Sequence, residues 1–238
     1  QRMSGDMSAS GKNATLTVRN VVFGLFSVLA QLLGTSLTFF VIARIPSIGV
    51  SDFGILTYAF AASQIFAVFF EYGMVSYLAK ENAAMRERDY EFERVGYGLH
   101  LVLMIAGYVL FIITVPLFLL NDIAAEVCNW IGASVFLTST SRFFLAFYQG
   151  REKLHLEFFS TTAEMLVLVS VIGIAYSQNA DILTIAQFFF FGRLISWVVV
   201  YVIFGFSDSW LFPKFDLKVW RKILLEALPF GLMFLIAF

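Results

Sequence analysis

Charge is scarce in this sequence. Asp, Glu, Lys and Arg together make up 14% of its 238 residues, where a soluble domain carries about a quarter. The 16 basic and 17 acidic side chains nearly cancel, so no single-sign field favours nucleic acid as a partner. The one cysteine, Cys128, has no intramolecular partner, which excludes a disulfide scaffold. The two histidines, His100 and His155, stand in separate segments without metal-ligand spacing. There is no Gly-rich phosphate loop, no nucleophile elbow and no cluster of carboxylates in a polar loop. These absences argue against an enzyme in this stretch, and no cofactor or metal is expected. What is abundant is apolar: 60% of the residues are hydrophobic, and Phe alone occurs 29 times. The ~10-residue in/out alternation of membrane barrel strands is missing. The fold class expected is therefore an all-α integral membrane protein.

A helix needs about 20 mostly apolar residues to cross the hydrocarbon of a bilayer. Runs of that kind lie at Asn20–Ala43, at Phe53–Ala79 with Glu71 inside it, and at Val95–Asn121. Three more lie at about Val127–Gln149 with Arg142, at Leu156–Ser177 with Glu157 and Glu164, and at Ile182–Phe206 with Arg193. A seventh begins near Ile223 and stops at Phe238, too soon to span comfortably. With an opening Gln1 in place of Met, the chain reads as a fragment whose missing part lies at least at the C-terminus.

Lys and Arg set the expected orientation. Arg2, Lys12 and Arg19 precede the first run, and Lys80, Arg86, Arg88 and Arg94 follow the second. Arg151 and Lys153 follow the fourth; Lys214, Lys218, Arg221 and Lys222 follow the sixth. The opposite loops hold only Arg44. The N-terminus and the basic loops are thus expected in the cytoplasm.

A charge in hydrocarbon costs roughly 2.5–3.5 kcal/mol on insertion scales and needs a partner or a wet cavity. From the rise of ~1.5 Å per residue, Glu71, Arg142 and Glu164 should reach similar depths, with Arg193 near mid-membrane, from where its flexible side chain can bridge part of the gap toward Glu164. Uncharged polar residues fall on helix faces beside them: Ser27, Gln31, Thr35 and Thr38 in the first run, and Thr57, Gln64 and Glu71 in the second. Thr138, Arg142 and Gln149 share a face of the fourth run, and Glu157, Ser160 or Thr161, and Glu164 one of the fifth. Such seams are buried most simply by facing a common interior. Two readings stand side by side. Glu–Arg pairs, Glu71 with Arg142 first among them, lock the bundle, or the charges serve a lumen. Glu157, one turn from the interface, reads as an ordinary helix-end charge.

Several stretches resemble a known family. Ala43-Arg44-Ile45 with Ser51-Asp52-Phe53-Gly54 through Tyr58-Ala59 is similar to a loop of polysaccharide-biosynthesis flippases. So are Phe70-Glu71-Tyr72-Gly73-Met74 with Leu78-Ala79-Lys80-Glu81, Tyr148-Gln149-Gly150-Arg151-Glu152-Lys153, and Phe215-Asp216-Leu217 through Leu228-Pro229-Phe230-Gly231. The resemblance runs from about Leu16 to Phe238 and implies the multidrug/oligosaccharidyl-lipid/polysaccharide (MOP) exporter superfamily, and within it the Wzx-type O-antigen repeat-unit flippases. Such proteins have about 12 to 14 spans in two bundles. The implied organisation is a cytoplasmic tail at 1–19, an N-terminal six-span bundle at 20–206, an amphipathic linker at 207–222 and the start of a seventh span at 223–238.

The resemblance implies transport of an undecaprenyl-diphosphate-linked oligosaccharide across the cell inner membrane by alternating access, for O-antigen, lipopolysaccharide or another surface polysaccharide. The polyprenyl-diphosphate-linked oligosaccharide and the lipid bilayer are then the partners, with H⁺ or Na⁺ and a polysaccharide polymerase as further candidates and no nucleic acid. Arg193 and Arg142 are the candidates for diphosphate or an acidic sugar, because guanidinium binds phosphate oxygens bidentately. Gln31, Gln64 and Thr138 are candidates for sugar hydroxyls. Glu71 and Glu164 are candidates for pairing with the Arg residues or for ion coupling. The competing readings are an ion-coupled multidrug antiporter of the same superfamily, a peptidoglycan-precursor flippase, and a membrane-bound glycosyl- or acyltransferase with its active site in the missing half.

Overall fold

A computed structural model describes residues 3–84, 89–119, 121–207 and 212–237. Arg2, Arg86, Arg88, the Lys12 side chain, residues 208–211 of the expected linker and Phe238 lie outside the described residues. The chain is all-helical there, with α1 (Met3–Ile42), α2 (Val50–Glu71), α3 (Met74–Ala84) and α4 (Tyr90–Thr114), the last followed by a 3₁₀ turn at Val115–Phe118. After these come α5 (Asp122–Gly150), α6 (Leu154–Ser177), α7 (Ile182–Ser207) and α8 (Leu217–Ala237). Five helices among the described residues are long and apolar enough to cross a membrane: Val18–Ile42 of α1, α2, α4, α6 and Ile182–Phe206 of α7.

The fourth expected run, Val127–Gln149, lies within α5. α5 has 29 residues, about 43 Å of helix and ample for a crossing, yet it is not among the five apolar helices. Its position explains why. α5 packs against α2, α3, α4 and α7 at once, and Phe143, Phe144, Ala146, Phe147 and Tyr148 are fully buried along it. A helix surrounded by protein is released from the demand for an apolar surface, because its neighbours rather than lipid meet its polar side chains.

The second expected run, Phe53–Ala79, is corrected: it is not one helix. α2 ends at Glu71, where Tyr72 (φ 52°) and Gly73 (φ 70°) both turn left-handed, and α3 starts afresh at Met74. Gly73 is required there twice over. A side chain would be strained at that φ, and its Cβ would lie 2.3 Å from the Gly231 nitrogen of α8. The segment expected to divide into linker and seventh span is one helix from Leu217 onward, with Pro229 inside it.

Hydrophobic burial gives little drive to helix association in lipid, so small residues and polar contacts decide it. α1 lies on α6 because Gly34 admits Met165, which a Cβ would meet at 2.7 Å, and because the Ser27 hydroxyl donates to Thr161 Oγ1 at 3.2 Å. Gly107 of α4 similarly admits Phe70 of α2. At one end of the bundle the α1–α2 loop is tied to the α6–α7 loop, where Ser47 N–H donates to Asn179 Oδ1 at 3.1 Å and Ser47 Oγ to the Ala180 carbonyl at 2.6 Å. At the other end α8 is fastened over α3 and α4. Trp220 Nε1–H donates to the Val95 carbonyl at 3.1 Å, and Tyr77 O–H donates to Glu226 Oε2. Burial and the Glu226 carboxylate hold the Tyr77 hydroxyl above its ordinary pKa, so it stays a donor. A buried ion pair between Glu93 of α4 and Arg151, just beyond α5, closes the same end. No sequence pattern marks that pair.

Candidate functional site

α1 packs on α6, and α2 on α4 and α5. The polar faces of α1, α2, α5, α6 and α7 meet around two adjoining cavities. The first, about 220 Å³, is lined by Ser27, Gln31, Thr138, Arg142, Gln149, Glu157, Thr161 and Glu164 among others. The second, about 290 Å³, is lined by Gln31, Thr35, Thr38, Gln64, Ser134, Thr138, Arg142 and Arg193 with Phe39, Phe60 and Phe189. Gln31, Thr138 and Arg142 belong to both, so the two form one lumen.

Of the seven residues singled out in the sequence, six line this lumen: Arg193, Arg142, Gln31, Gln64, Thr138 and Glu164. Glu71, half-buried at the end of α2, lies on neither wall. Of the two charge pairings expected, Glu164 with Arg193 forms and Glu71 with Arg142 does not, among the described residues. Glu164 of α6 forms its ion pair with Arg193 of α7, with both side chains largely buried. The Ser196 hydroxyl donates to the Glu164 backbone carbonyl at 3.3 Å and steadies the same junction. Glu164 lines one cavity and Arg193 the other, so the pair stands at their boundary.

Arg142 is left differently. It is half-buried, and the Glu71 carboxylate feels its charge, but the two are not within ion-pair distance. Its side chain has no hydrogen bond or ion pair among the described residues, and it fronts both cavities. A guanidinium in that position offers several N–H donors to whatever enters. The Gln31 and Gln64 amides, one on α1 and one on α2, are exposed to the lumen and likewise unbonded among the described residues. Thr138 is half-engaged, its hydroxyl donating to the Ser134 carbonyl at 2.9 Å while keeping acceptor capacity. Glu157, read in the sequence as a helix-end charge, accepts from Gln149 Nε2 at 2.9 Å and lines the first cavity.

Sequence reasoning missed Ser134. Its spacing of four from Thr138 on the polar face of α5 was the available signal. Chemically, the arrangement is a polar slot with, among the described residues, one guanidinium (Arg142) outside any ion pair and one largely buried charge pair. It holds no nucleophile–base pair.

The fold is that of known transporters. A MOP-superfamily transporter from Pyrococcus furiosus, whose reversed pocket polarity is described as suggesting a different function, superposes with a TM-score of 0.67 at 16% identity, over 91% of this chain and 51% of that one. An outward-facing multidrug-resistance transporter of the MATE family superposes with a TM-score of 0.67 at 15% identity, over 91% and 52%. This chain thus spans about half the length of either. No curated protein matches the sequence. The family described as polysaccharide biosynthesis protein matches residues 17–238. With so little left outside that match, and a helical bundle common to two transporters, the chain belongs to the polysaccharide biosynthesis protein family and carries the fold of the MOP exporters.

Proposed function

We propose that this chain forms one half of a flippase that moves a polyprenyl-diphosphate-linked oligosaccharide from the cytoplasmic to the outer leaflet of the cell inner membrane, for surface polysaccharide assembly, with its N-terminus in the cytoplasm. The observation that carries the reading is Arg142: a half-buried guanidinium without an ion pair among the described residues, facing both cavities of a polar lumen. In a wall of low dielectric a diphosphate gains far more from a cation than it does in water, and guanidinium binds it through paired N–H donors. Gln31 and Gln64 flank Arg142 with amides suited to sugar hydroxyls.

Arg193 enters second. Its charge is spent on Glu164 until a stronger anion competes. An incoming phosphate that takes Arg193 frees Glu164 beside the first cavity, where the carboxylate must be rehydrated or take up a proton. Substrate binding and loss of the Glu164–Arg193 tie are thereby one event. Because the tie joins α6 to α7, its release loosens two helices that form the lumen wall.

The alternative of an ion-coupled drug antiporter gains support from the near balance of lumen charge and from the likeness in fold to a MATE transporter. The two readings part in one experiment. The full-length gene is expressed in a strain lacking its own repeat-unit flippase, and surface polysaccharide is measured. Restoration that fails with Arg142→Gln at normal protein levels is the expected result. No restoration from several repeat-unit pathways, with gained resistance to cationic drugs, overturns the proposal in favour of the antiporter.

A further inference from the structure

α5 carries a second set of cavities on a different face. One, about 280 Å³, lies among Leu101, Met104 and Ile105 of α4, Phe136 and Thr140 of α5 and Trp197 of α7. The other, about 420 Å³, is lined by Glu126, Asn129 and Trp130 of α5 among others. They share Tyr108, Ala133 and Phe190, so they run together as one groove between α4 and α7, with α5 as its floor. Glu126, Asn129, Ala133, Leu137 and Thr140 recur at three- and four-residue spacing on one side of α5. Ser134, Thr138, Arg142 and Gln149 do so on another, toward the lumen. The groove is therefore separate from the candidate transport path.

We propose that this groove binds one phospholipid whose headgroup carries a primary ammonium. Its length fits: from Glu126 to Thr140 the α5 floor measures about 21 Å along the axis, comparable with the ~15 Å of hydrocarbon in one leaflet plus its headgroup boundary. Its deep part is apolar. Thr140 there already donates its hydroxyl to the Phe136 carbonyl at 3.0 Å, and the Trp197 Nε1–H is buried without a partner among the described residues; the rest of the lining is hydrocarbon and ring surface for an acyl chain.

The mouth selects the headgroup. Glu126 is an exposed carboxylate there. Asn129 Oδ1 is buried without a hydrogen-bond partner, and the Asn129 carbonyl already accepts from Tyr108 O–H at 3.3 Å. Trp130 packs on Phe190 with ring centroids 5.2 Å apart, holding an indole at the mouth. A carboxylate and an indole face both attract an ammonium, and the buried Asn129 amide oxygen adds an acceptor dipole beside them. Neither cavity is lined by Lys or Arg, so nothing in the groove favours an anionic headgroup.

The test uses the intact transporter, stripped of lipid in detergent and titrated with phosphatidylethanolamine or phosphatidylglycerol of matched chains, with bound lipid counted by native mass spectrometry. Phosphatidylethanolamine should bind several-fold more tightly. Glu126→Gln should bring it down to the level of phosphatidylglycerol without changing the latter, and Ala133→Trp, which fills the slot, should remove both. Equal binding of the two lipids to the unsubstituted protein overturns the proposal. So does a full ethanolamine preference in Glu126→Gln, or unchanged binding in an Ala133→Trp variant that elutes as a folded monodisperse species.

Discussion

Arg193 and Arg142 carry the same charge in one lumen, but removing them should have opposite consequences. Arg193 is tied to Glu164 with both partners buried. Truncating one member of such a pair strands the other charge and costs about 3 kcal/mol or more. Arg193→Gln should therefore lower the thermal unfolding midpoint in detergent, and Arg193→Gln with Glu164→Gln should recover most of the loss. Arg142 has no such debt, so Arg142→Gln should unfold at nearly the native temperature while abolishing transport. A midpoint for Arg142→Gln as low as that of Arg193→Gln would mean that Arg142 holds the bundle together. Outside the membrane, Asp181 caps α7 by accepting from Thr184 N–H at 3.0 Å, and that bonding with Thr184 lowers its pKa. A carboxylate with a depressed pKa stabilises the fold at neutral pH and loses that contribution as pH falls through its folded value. Asp181→Ala should cost about 1 kcal/mol at neutral pH, and the gap between variant and native protein should close in acid. The residue types of the lumen were legible in the sequence because polar side chains in an apolar run stand out. Depth also put Arg193 within partial reach of Glu164, the pair that forms, but depth along a helix gives no information on rotation about its axis. Depth placed Glu71 beside Arg142, but Tyr72 and Gly73 turn the chain at the end of α2 and Glu71 lies off the lumen walls.

Two elements show where apolar counting succeeds and where it fails. Spans facing lipid announce themselves by composition, and α1, α2, α4, α6 and α7 do so. α5 does not, because it sits among α2, α3, α4 and α7. The sequence shows it as a mostly apolar run, Val127–Gln149, that holds Arg142. The break between α2 and α3 was hidden for a different reason: Phe53 to Ala79 is apolar enough to read as one helix, and only the Tyr72–Gly73 backbone reveals the turn. That turn is where α8 crosses. The Gly73 and Gly231 backbones meet so closely that Gly73→Ala would place its Cβ 2.3 Å from the Gly231 nitrogen. The variant should lose several kcal/mol through the combination of strain and clash, visible as a lower unfolding midpoint and as protease cleavage near α3. Gly54→Ala supplies the contrast. A Cβ there meets nothing within 4 Å, and in a helix interior the exchange should gain up to about 1 kcal/mol. If both substitutions shift the midpoint alike, the crossing of α8 over the α2–α3 turn does not form.

At the scale of the whole molecule, the transport reading turns on where water goes. The bundle leaves large apolar side chains such as Leu29, Leu33 and Phe40 of α1 uncovered, while Gln31, Thr35 and Thr38 of the same helix line the second cavity. α1 therefore separates two solvents, lipid or a further helical surface on one side and the lumen on the other. Thiol chemistry can tell them apart because the single native cysteine, Cys128, is buried and gives a silent background. Gln31→Cys and Gln64→Cys should react with a charged, membrane-impermeant thiol reagent in intact vesicles, read as an added mass on the protein. Leu33→Cys, 68% exposed on the other side of α1, should stay unlabelled despite its greater exposure, because a charged reagent does not enter hydrocarbon. Reactivity that follows exposure alone, with Leu33→Cys labelled as fast as Gln31→Cys, would place water outside α1 and remove the lumen from the transport path. Protection of Gln31→Cys by added diphosphate, lost again with Arg142→Gln, would place the anion at the junction of the two cavities. Only that pattern joins the unmatched guanidinium, the polar faces and the flippase reading in a single path.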